Sequence, residues 1–182
     1  MKVLLTSAGF ENKKISDIFL KLIGKCVEDS RVVFIPTAAD TAESVAMLPK
    51  CMNDLLNIGI RASNIMVYDL HFKFKYRDLK EYDAVYLCGG SAEYLIERVN
   101  KSGFRKEILR YIKQDGVYVG VSAGSCIASN NVRNNLGIIA KTLNVHCDKG
   151  EMAGPLNPEK EYVNLTNKQS VLIHGNEISI IE

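Results

Sequence analysis

The chain has 182 residues, which fits a single domain spanning residues 1–182 that is long enough to bury a substantial core. Hydrophobic residues make up 47% of the sequence and charged residues 24%, as in a globular protein. The formal charge of +2 is too small to favour nucleic acid or an anionic membrane as a partner. No apolar run approaches the roughly 20 residues of a membrane-spanning helix.

The cysteine pattern bears on cofactors and on cellular location. Five cysteines stand at positions 26, 51, 88, 126 and 147, without Cys-x-x-Cys spacing. An odd number at this spacing argues against a disulfide framework and against a zinc site. The N-terminal segment also turns polar too early for a signal peptide. We therefore expect a cytoplasmic protein without a metal or another cofactor.

The first two-thirds of the chain alternate short apolar runs with longer amphipathic segments. In chain order we predict strand 2–6, helix 12–28, strand 31–35, helix 41–57, strand 65–68, strand 84–88, helix 92–114 with a break near 102–103, and strand 116–121. Pro36 ends the second strand, and Gly59 ends the second helix. The basic run of Lys73, Lys75 and Arg77 is predicted to be a solvated turn.

The predicted strands are continuously apolar, as in a sheet that helices cover on both faces. Successive strand–helix units favour parallel pairing through right-handed crossovers. We therefore predict an α/β fold with three layers, α/β/α, around a doubly wound, mostly parallel sheet. The tail differs, because it predicts short strands at 161–165, 171–174 and 178–181, with turns at 167–168 and 175–176. These strands are expected to form a small C-terminal β meander.

Two glycine-rich segments follow predicted strands, at 88–91 and 120–124. In open α/β sheets, binding and catalytic residues collect at the carboxyl ends of the strands. Gly120-Val121-Ser122-Ala123-Gly124 fits the pattern Gly-x-Ser-x-Gly between a strand and a helix. Such a turn exposes the serine hydroxyl and needs glycines where a Cβ would clash. Ser122 is therefore the candidate nucleophile, in preference to Ser125, because it occupies the turn itself.

The segment 120–125, Gly-Val-Ser-Ala-Gly-Ser, resembles the nucleophile motif of the peptidase E (aspartyl dipeptidase) and cyanophycinase family of serine peptidases. Segment 33–38 resembles the second strand of the family and the loop that follows it. Segment 85–90 resembles the family's strand that ends in a glycine cluster. Segments 136–139 and 144–146 resemble the stretch that leads to its catalytic histidine. The resemblance implies a fold like that of class I glutamine amidotransferases and cleavage of short peptides, including those with N-terminal aspartate.

A serine hydroxyl needs a base to take its proton, and histidine is the usual base. The residues alone leave three candidates, His71, His146 and His174, and the resemblance selects His146. The acid that orients this histidine is left open. Asp148 and Glu151 are the nearest acids in sequence, and an acid from elsewhere, an amide or a backbone carbonyl is also possible.

The resemblance also implies an oxyanion hole and substrate contacts. The N–H groups of Gly90 and Ala123 are expected to hold the oxyanion. Family members often carry three glycines and then asparagine where this chain has Gly89, Gly90 and Ser91 in the run 88–92, and Arg133 resembles a basic residue of the family. We expect both to contact a substrate, Arg133 through its carboxylate. The expected partner is a short peptide, and the chain is expected to be a monomer or a homodimer.

Two other interpretations remain. The first is an inactive relative that binds a peptide or small metabolite in the same cleft, since no acid is identified and the glycine cluster is altered. The second is a cysteine nucleophile, because class I glutamine amidotransferases carry cysteine at the elbow and Cys88 and Cys126 flank this region. Nucleotide binding is not favoured, because neither Gly-x-Gly-x-x-Gly nor a P-loop occurs.

Overall fold

A central sheet organises the computed structural model, which describes residues 1–73 and 79–182. The strands are β1 (Lys2–Thr6), β2 (Val32–Ile35), β3 (Ile65–Val67), β4 (Ala84–Leu87), β5 (Val117–Val121), β6 (Thr142–Asn144), β7 (Gly154–Pro155), β8 (Tyr162–Asn164), β9 (Ser170–His174) and β10 (Glu177–Ile181). The α-helices are α1 (Lys13–Ile23), α2 (Ala42–Ala46), α3 (Leu48–Asn57), α4 (Ala92–Lys101), α5 (Phe104–Lys113) and α6 (Ala123–Cys126).

Among the described residues, eight strands form the main sheet in the order β3-β2-β4-β5-β1-β9-β10-β7. The first five are mutually parallel, and β9, β10 and β7 continue the sheet in antiparallel fashion. Parallel neighbours that are distant in sequence, such as β1 and β5, require helical crossovers. The predicted α/β fold with a doubly wound, mostly parallel sheet is therefore confirmed.

The two faces of the sheet carry separate cores, which makes the fold three-layered. Val3 and Leu5 of β1 belong to the core that includes side chains of α4 and α5. Leu4 lies on the opposite face, in the core that contains Ile15 and Phe19 of α1. This alternation within a strand that is buried from Val3 to Thr6 follows from the two-residue period of β structure.

Two predicted helices differ in their bounds. The first ends at Ile23, because Gly24 adopts a left-handed conformation and its N–H bonds to the carbonyl of Leu20, so it does not continue to residue 28. The second, predicted as 41–57, is divided into α2 and α3 at Met47. Pro49 stands in the first turn of α3, where its missing N–H costs no hydrogen bond.

The C-terminal tail is more divided than the sequence predicts. β9 and β10 form an antiparallel hairpin, which pairs with β1 on one side and β7 on the other and so extends the main sheet. The predicted strand at 161–165 does not join them. It is β8, which pairs in parallel with β6 in a separate two-stranded sheet.

In the described part of the chain, no helix is both long enough and apolar enough to cross a membrane. The predicted basic turn is only partly visible: Lys73 is exposed, and Lys75 and Arg77 lie outside the described residues.

Candidate active site

The candidate site lies where three parallel strands end at the same edge of the sheet. β1 is followed by Ser7, β4 by Gly89 and Gly90, and β5 by Ser122. Strand register brings these ends together, since Thr6 pairs with Val121 and Leu87 with Gly120. The carboxyl-edge position that the sequence predicts for both glycine-rich segments is therefore the position that they occupy.

Close backbone packing explains the glycines around Ser122. A Cβ at Gly120 would lie 2.5 Å from the carbonyl oxygen of Gly124, and a Cβ at Gly124 would lie 2.5 Å from that of Leu87. A Cβ at Gly89 would lie 3.3 Å from the Cβ of Ser122. The turn therefore lies against the end of β4 only with glycine at positions 120 and 124, and Gly89 leaves room beside Ser122.

Ser122 itself has a strained backbone, with φ of 48° and ψ of −103°. Its N–H donates to the carbonyl of Thr6 at 3.0 Å, which ties the turn to the end of β1. Ser125 has a different part in the same turn. Its buried hydroxyl lies 2.8 Å from the carbonyls of both Thr6 and Gly120 and is thus committed to structure. A strained backbone such as that of Ser122, held in place by surrounding contacts, is typical of functional sites.

His146 lies within hydrogen-bond reach of the serine. Its Nε2 is 2.9 Å from the Oγ of Ser122, although 24 residues separate them in sequence. The loop after β6 holds the histidine at φ of 59°, and the N–H of His146 donates to the Oγ of Ser7 at 2.7 Å. The next N–H, of Cys147, donates to the carbonyl of Leu165.

An amide takes the place in which the sequence suggests an acid. The Nδ1 of His146 lies 2.7 Å from the Oδ1 of Asn167. When Nδ1 carries the proton, it donates to this oxygen and leaves Nε2 free to accept the Ser122 hydroxyl. Asp148 is exposed, and Glu151 forms an ion pair with Lys160 at 2.6 Å. The amide alternative, one of several that the sequence leaves open, is the contact present in this structure.

Asn167 sits in the turn between β8 and β9, which the sequence predicts without giving it a role. Gln169 stabilises this turn, because its N–H donates to the carbonyl of Thr166 and its Oε1 accepts the N–H of Thr166. The side chain of Asn12 also donates to the carbonyl of Lys168. The turn thus presents Asn167 to the histidine from a fixed backbone.

The other two histidines lie elsewhere. The Nδ1 of His71 is 2.5 Å from the Oδ1 of Asp69, and its Nε2 is 3.0 Å from the Oη of Tyr94. His174 is exposed at the end of β9, in register with Lys2 and Glu177. His146 is the one whose ring contacts Ser122 among the described residues.

The candidate oxyanion donors follow from the two glycine-rich segments. Gly90 lines the cavity in front of Ser122, and Ala123 directly follows Ser122 and is buried. Within residues 1–73 and 79–182, the N–H groups of Gly90 and Ala123 donate to no protein acceptor. Gly90 lines the cavity and Ala123 does not, and the role of both N–H groups in holding an oxyanion stays a prediction.

The two expected substrate contacts are placed outside this cavity. Ser91 caps α4, since its Oγ accepts the N–H of Tyr94 at 3.2 Å and its own N–H donates to the carbonyl of Ala38. Arg133 is exposed in the turn after α6 and is not among the residues that line the cavity. Substrate binding by either residue stays a prediction that this arrangement does not support.

The cavity has a volume of about 310 Å³ and contains charged residues that the sequence does not single out. Glu11 and Lys50 line it and form an ion pair, with Nζ of Lys50 2.7 Å from Oε1 of Glu11. Its remaining lining residues include no further aspartate, glutamate, lysine or arginine among the described residues. In the described ranges, no three His, Cys, Asp or Glu side chains are grouped to hold a metal ion.

The cysteine alternative meets two obstacles. Cys88 is fully buried, and burial raises the pKa of its thiol well above the ordinary value. Burial also raises the pKa of Cys126 to about 11. A thiol of this kind is protonated near neutral pH and is a poor nucleophile, whereas the Ser122 hydroxyl has a histidine in contact.

Comparison with known proteins places the chain in a family. The model of peptidase family S51 matches residues 3–142, a stretch that contains Ser122 and ends just before His146. An uncharacterised peptidase of Pasteurella multocida is 24% identical over 132 residues, which cover 72% of this chain and 62% of that protein. An uncharacterised peptidase of Listeria innocua is 27% identical, with the same coverage of both chains. The chain thus spans about 62% of the length of these curated relatives.

Two solved structures share the fold. One is a candidate peptidase E protein from Listeria monocytogenes EGD-e, with a TM-score of 0.75, 21% identity, and coverage of 100% of this chain and 98% of that one. The other is a peptidase from an acI-B1 actinobacterium, with a TM-score of 0.70, 14% identity, and coverage of 99% and 86%. Since the family model matches well over half of the chain, the protein belongs to peptidase family S51.

Proposed function

We propose that the protein is a serine peptidase that hydrolyses short peptides through an acyl-enzyme on Ser122. The observation that carries this proposal is the 2.9 Å contact between the Oγ of Ser122 and the Nε2 of His146. It occurs on a strained strand-to-helix turn in a chain of peptidase family S51. A hydroxyl next to a histidine whose other nitrogen is hydrogen-bonded is the arrangement that activates a serine.

The proposed reaction has two stages. The Oγ of Ser122 attacks the scissile carbonyl carbon while its proton passes to the Nε2 of His146, and the N–H groups of Gly90 and Ala123 stabilise the oxyanion. The C–N bond then breaks, and the imidazolium returns the proton to the leaving amine. A water molecule, deprotonated by His146, attacks the ester carbonyl in the same way and releases the carboxylic acid and free Ser122.

The size of the cavity supports a small substrate. About 310 Å³ is at the lower end of the range for small-molecule sites and suits a dipeptide better than a folded protein. The family resemblance favours N-terminal aspartate as the residue that is cleaved off. We therefore propose a dipeptidase activity in which short peptides are the partners.

Turnover of a dipeptide panel tests this function. We expect Asp-Leu to be hydrolysed, with release of leucine followed by mass spectrometry, and Asp-p-nitroanilide to give a burst of product if deacylation is the slow step. The proposal is wrong if the 182-residue chain hydrolyses none of Asp-Leu, Asp-p-nitroanilide, Asn-Leu and Ala-Leu.

Asn167 provides a graded test of the histidine contact. We expect Asn167→Ala to lower kcat/KM about tenfold to a hundredfold, because the imidazole loses the acceptor that sets its orientation. Asn167→Asp should keep activity and move the acidic limb of the kcat/KM profile to higher pH, because a carboxylate favours the protonated imidazole. The measurement is the pH dependence of kcat/KM. Equal profiles for all three proteins would show that the contact does not matter.

A second candidate function is peptide binding without turnover, and the amide at Asn167 is the observation that favours it. An amide cannot stabilise the imidazolium as a carboxylate does. The Asn167→Asp variant separates the two functions, because a binding protein that lacks only the acid would gain hydrolysis from this change. A wild-type chain that hydrolyses the panel would exclude the second candidate.

The cysteine alternative predicts that replacing Cys126 abolishes activity, whereas the serine proposal predicts that activity is kept. We expect Cys126→Ala to retain peptidase activity within about twofold, since the raised pKa keeps this half-buried thiol protonated and Cys126 does not line the cavity. A loss of activity without loss of folding would instead favour thiol chemistry.

A further inference from the structure

The charged end of the active-site cavity is formed by two residues with no part in the proposed serine chemistry. Glu11 follows β1 in sequence, and Lys50 lies in α3. Their side chains remain 34% and 37% exposed and line the same cavity as Ser122 and His146. Among the described residues that line this cavity, Lys50 is the single lysine or arginine.

Neighbouring contacts hold the pair in place. The Oδ2 of Asp54 accepts the N–H of Phe10 at 2.9 Å and the hydroxyl of Tyr86 at 2.8 Å, which fixes the loop that carries Glu11 against α3. The Nζ of Lys50 also lies 2.7 Å from the carbonyl oxygen of Ala8 in this loop. The charges are thus preorganised before any ligand binds, which reduces the ordering that binding requires.

Each member of the pair has hydrogen-bonding capacity left for a ligand. An ammonium group has three donors, and Lys50 uses two of them, toward Glu11 and the Ala8 carbonyl. The second carboxylate oxygen of Glu11 accepts no hydrogen bond from the described part of the chain. Burial disfavours the charged form of Lys50, but the bond to Glu11 and the charges of Asp54 and Glu11 outweigh it and raise its pKa. Lys50 therefore stays cationic in the cavity.

The short separation of the two charges limits which substrate groups can meet them together. An N-terminal aspartyl residue carries its ammonium on Cα and its carboxylate on the neighbouring Cβ, next to the scissile carbonyl. The C-terminal carboxylate of a dipeptide lies across the scissile bond and further from the ammonium. An adjacent cation and anion beside Ser122 therefore match the first arrangement better than the second.

We propose that Lys50 binds the β-carboxylate and Glu11 the α-ammonium of an N-terminal aspartyl residue. Lys50, rather than Arg133, is then the cation that selects an acidic substrate, because it lines the cavity and Arg133 does not. This inference rests on the proposed function, which supplies the substrate class of short peptides with N-terminal aspartate. It assigns the recognition of the aspartyl residue to the ion pair of Lys50 and Glu11.

Binding measurements on the Ser122→Ala protein test this assignment without turnover. We expect isothermal titration calorimetry to show Asp-Leu binding about tenfold to a hundredfold more tightly than Asn-Leu or N-acetyl-Asp-Leu, since each analogue lacks one charged contact. Adding Lys50→Met should abolish the preference for Asp-Leu over Asn-Leu. Adding Glu11→Gln should abolish the preference for the free over the acetylated N-terminus.

The matched control is Lys13→Met, which removes another lysine that pairs with a carboxylate, Asp17 at 2.8 Å, on the exposed face of α1. This change should leave both preferences as they are, and thermal unfolding should show all variants folded. The inference is overturned if the preference for Asp-Leu survives Lys50→Met. It is also overturned if Arg133→Gln removes the preference, if amidating the C-terminal carboxylate removes it, or if no preference exists.

The two proposals fail in different ways. Hydrolysis of Asn-Leu as fast as Asp-Leu by the wild-type chain would overturn the role of Lys50 and leave serine catalysis intact. Selective binding of Asp-Leu that depends on Lys50, in a chain that hydrolyses nothing, would overturn the proposed catalysis and support the binding role of the pair.

Discussion

Ser122→Ala is expected to lower kcat/KM for Asp-Leu by at least about 10⁴-fold, because among the described residues Ser122 has the one hydroxyl in contact with the ring of His146. The backbone of the turn should survive, since the contact of residue 122 with Thr6 is made by its N–H and needs no side chain. We therefore expect the free energy of unfolding to change by less than about 1 kcal/mol. Steady-state kinetics and urea denaturation of the same preparation measure both quantities.

Two further serine variants make this result specific. Ser63→Ala removes the hydroxyl of an exposed serine distant in sequence from Ser122, and it should change neither kcat/KM nor the free energy of unfolding. Ser125→Ala should destabilise the fold by about 0.5–1.5 kcal/mol, because the buried hydroxyl contact with the Thr6 and Gly120 carbonyls is lost while each carbonyl keeps another donor, and the folded protein should stay active. If Ser125→Ala removed activity and Ser122→Ala did not, the assignment of the nucleophile would be wrong.

Gly90→Ala should have the largest effect on stability of the changes considered. Gly90 adopts φ of 137°, and a Cβ there would lie 1.9 Å from the carbonyl oxygen of Ala38, a backbone atom that cannot swing away. We expect a loss of more than about 3 kcal/mol in the free energy of unfolding, from the strained conformation and the clash together. Activity should fall as well, since the loop carries a proposed oxyanion donor.

The matched control is Gly103→Ala, at φ of 77° with nothing within 4 Å of the added Cβ. It carries the conformational cost without the clash, and we expect a loss of about 1 kcal/mol with full activity. Urea denaturation of both variants separates the two contributions. Equal destabilisation by the two changes would show that the Ala38 carbonyl moves to accommodate the added Cβ. The loop that carries Gly90 would then be less rigid than its contacts suggest.

Much of the fold follows from local signals. Continuous apolar runs predict the parallel strands, and Gly-x-Ser-x-Gly after the strand that is β5 predicts the turn at Ser122. The bounds of α1 and α2 are harder to predict, because Gly24 and Pro49 act within otherwise unbroken amphipathic patterns. The parallel pairing of β6 with β8 depends on tertiary contacts alone, so the periodicity of the tail indicates its strands but not their partners.

The residues of the candidate site are likewise only partly predictable from the sequence. The contact of Ser122 with His146 is predictable from a motif and a family resemblance. Asn167 is predictable only as a turn residue, because its contact with His146 spans 21 residues and two loops. The ion pair of Glu11 and Lys50 has no motif, since it depends on how the loop after β1 packs against α3. Local sequence does not indicate this pair, because Glu11 lies in the loop after β1 and Lys50 lies in a helix 39 residues later.

Covalent labelling with a fluorophosphonate tests the central claim most directly. An activated serine attacks the phosphorus and loses fluoride, and the adduct is identified by intact mass and by peptide mapping. We predict a single adduct on Ser122 in the wild-type chain, none in Ser122→Ala, and strongly slowed labelling in His146→Ala. Absence of an adduct from the folded wild-type chain, or an adduct on another residue, would contradict the account.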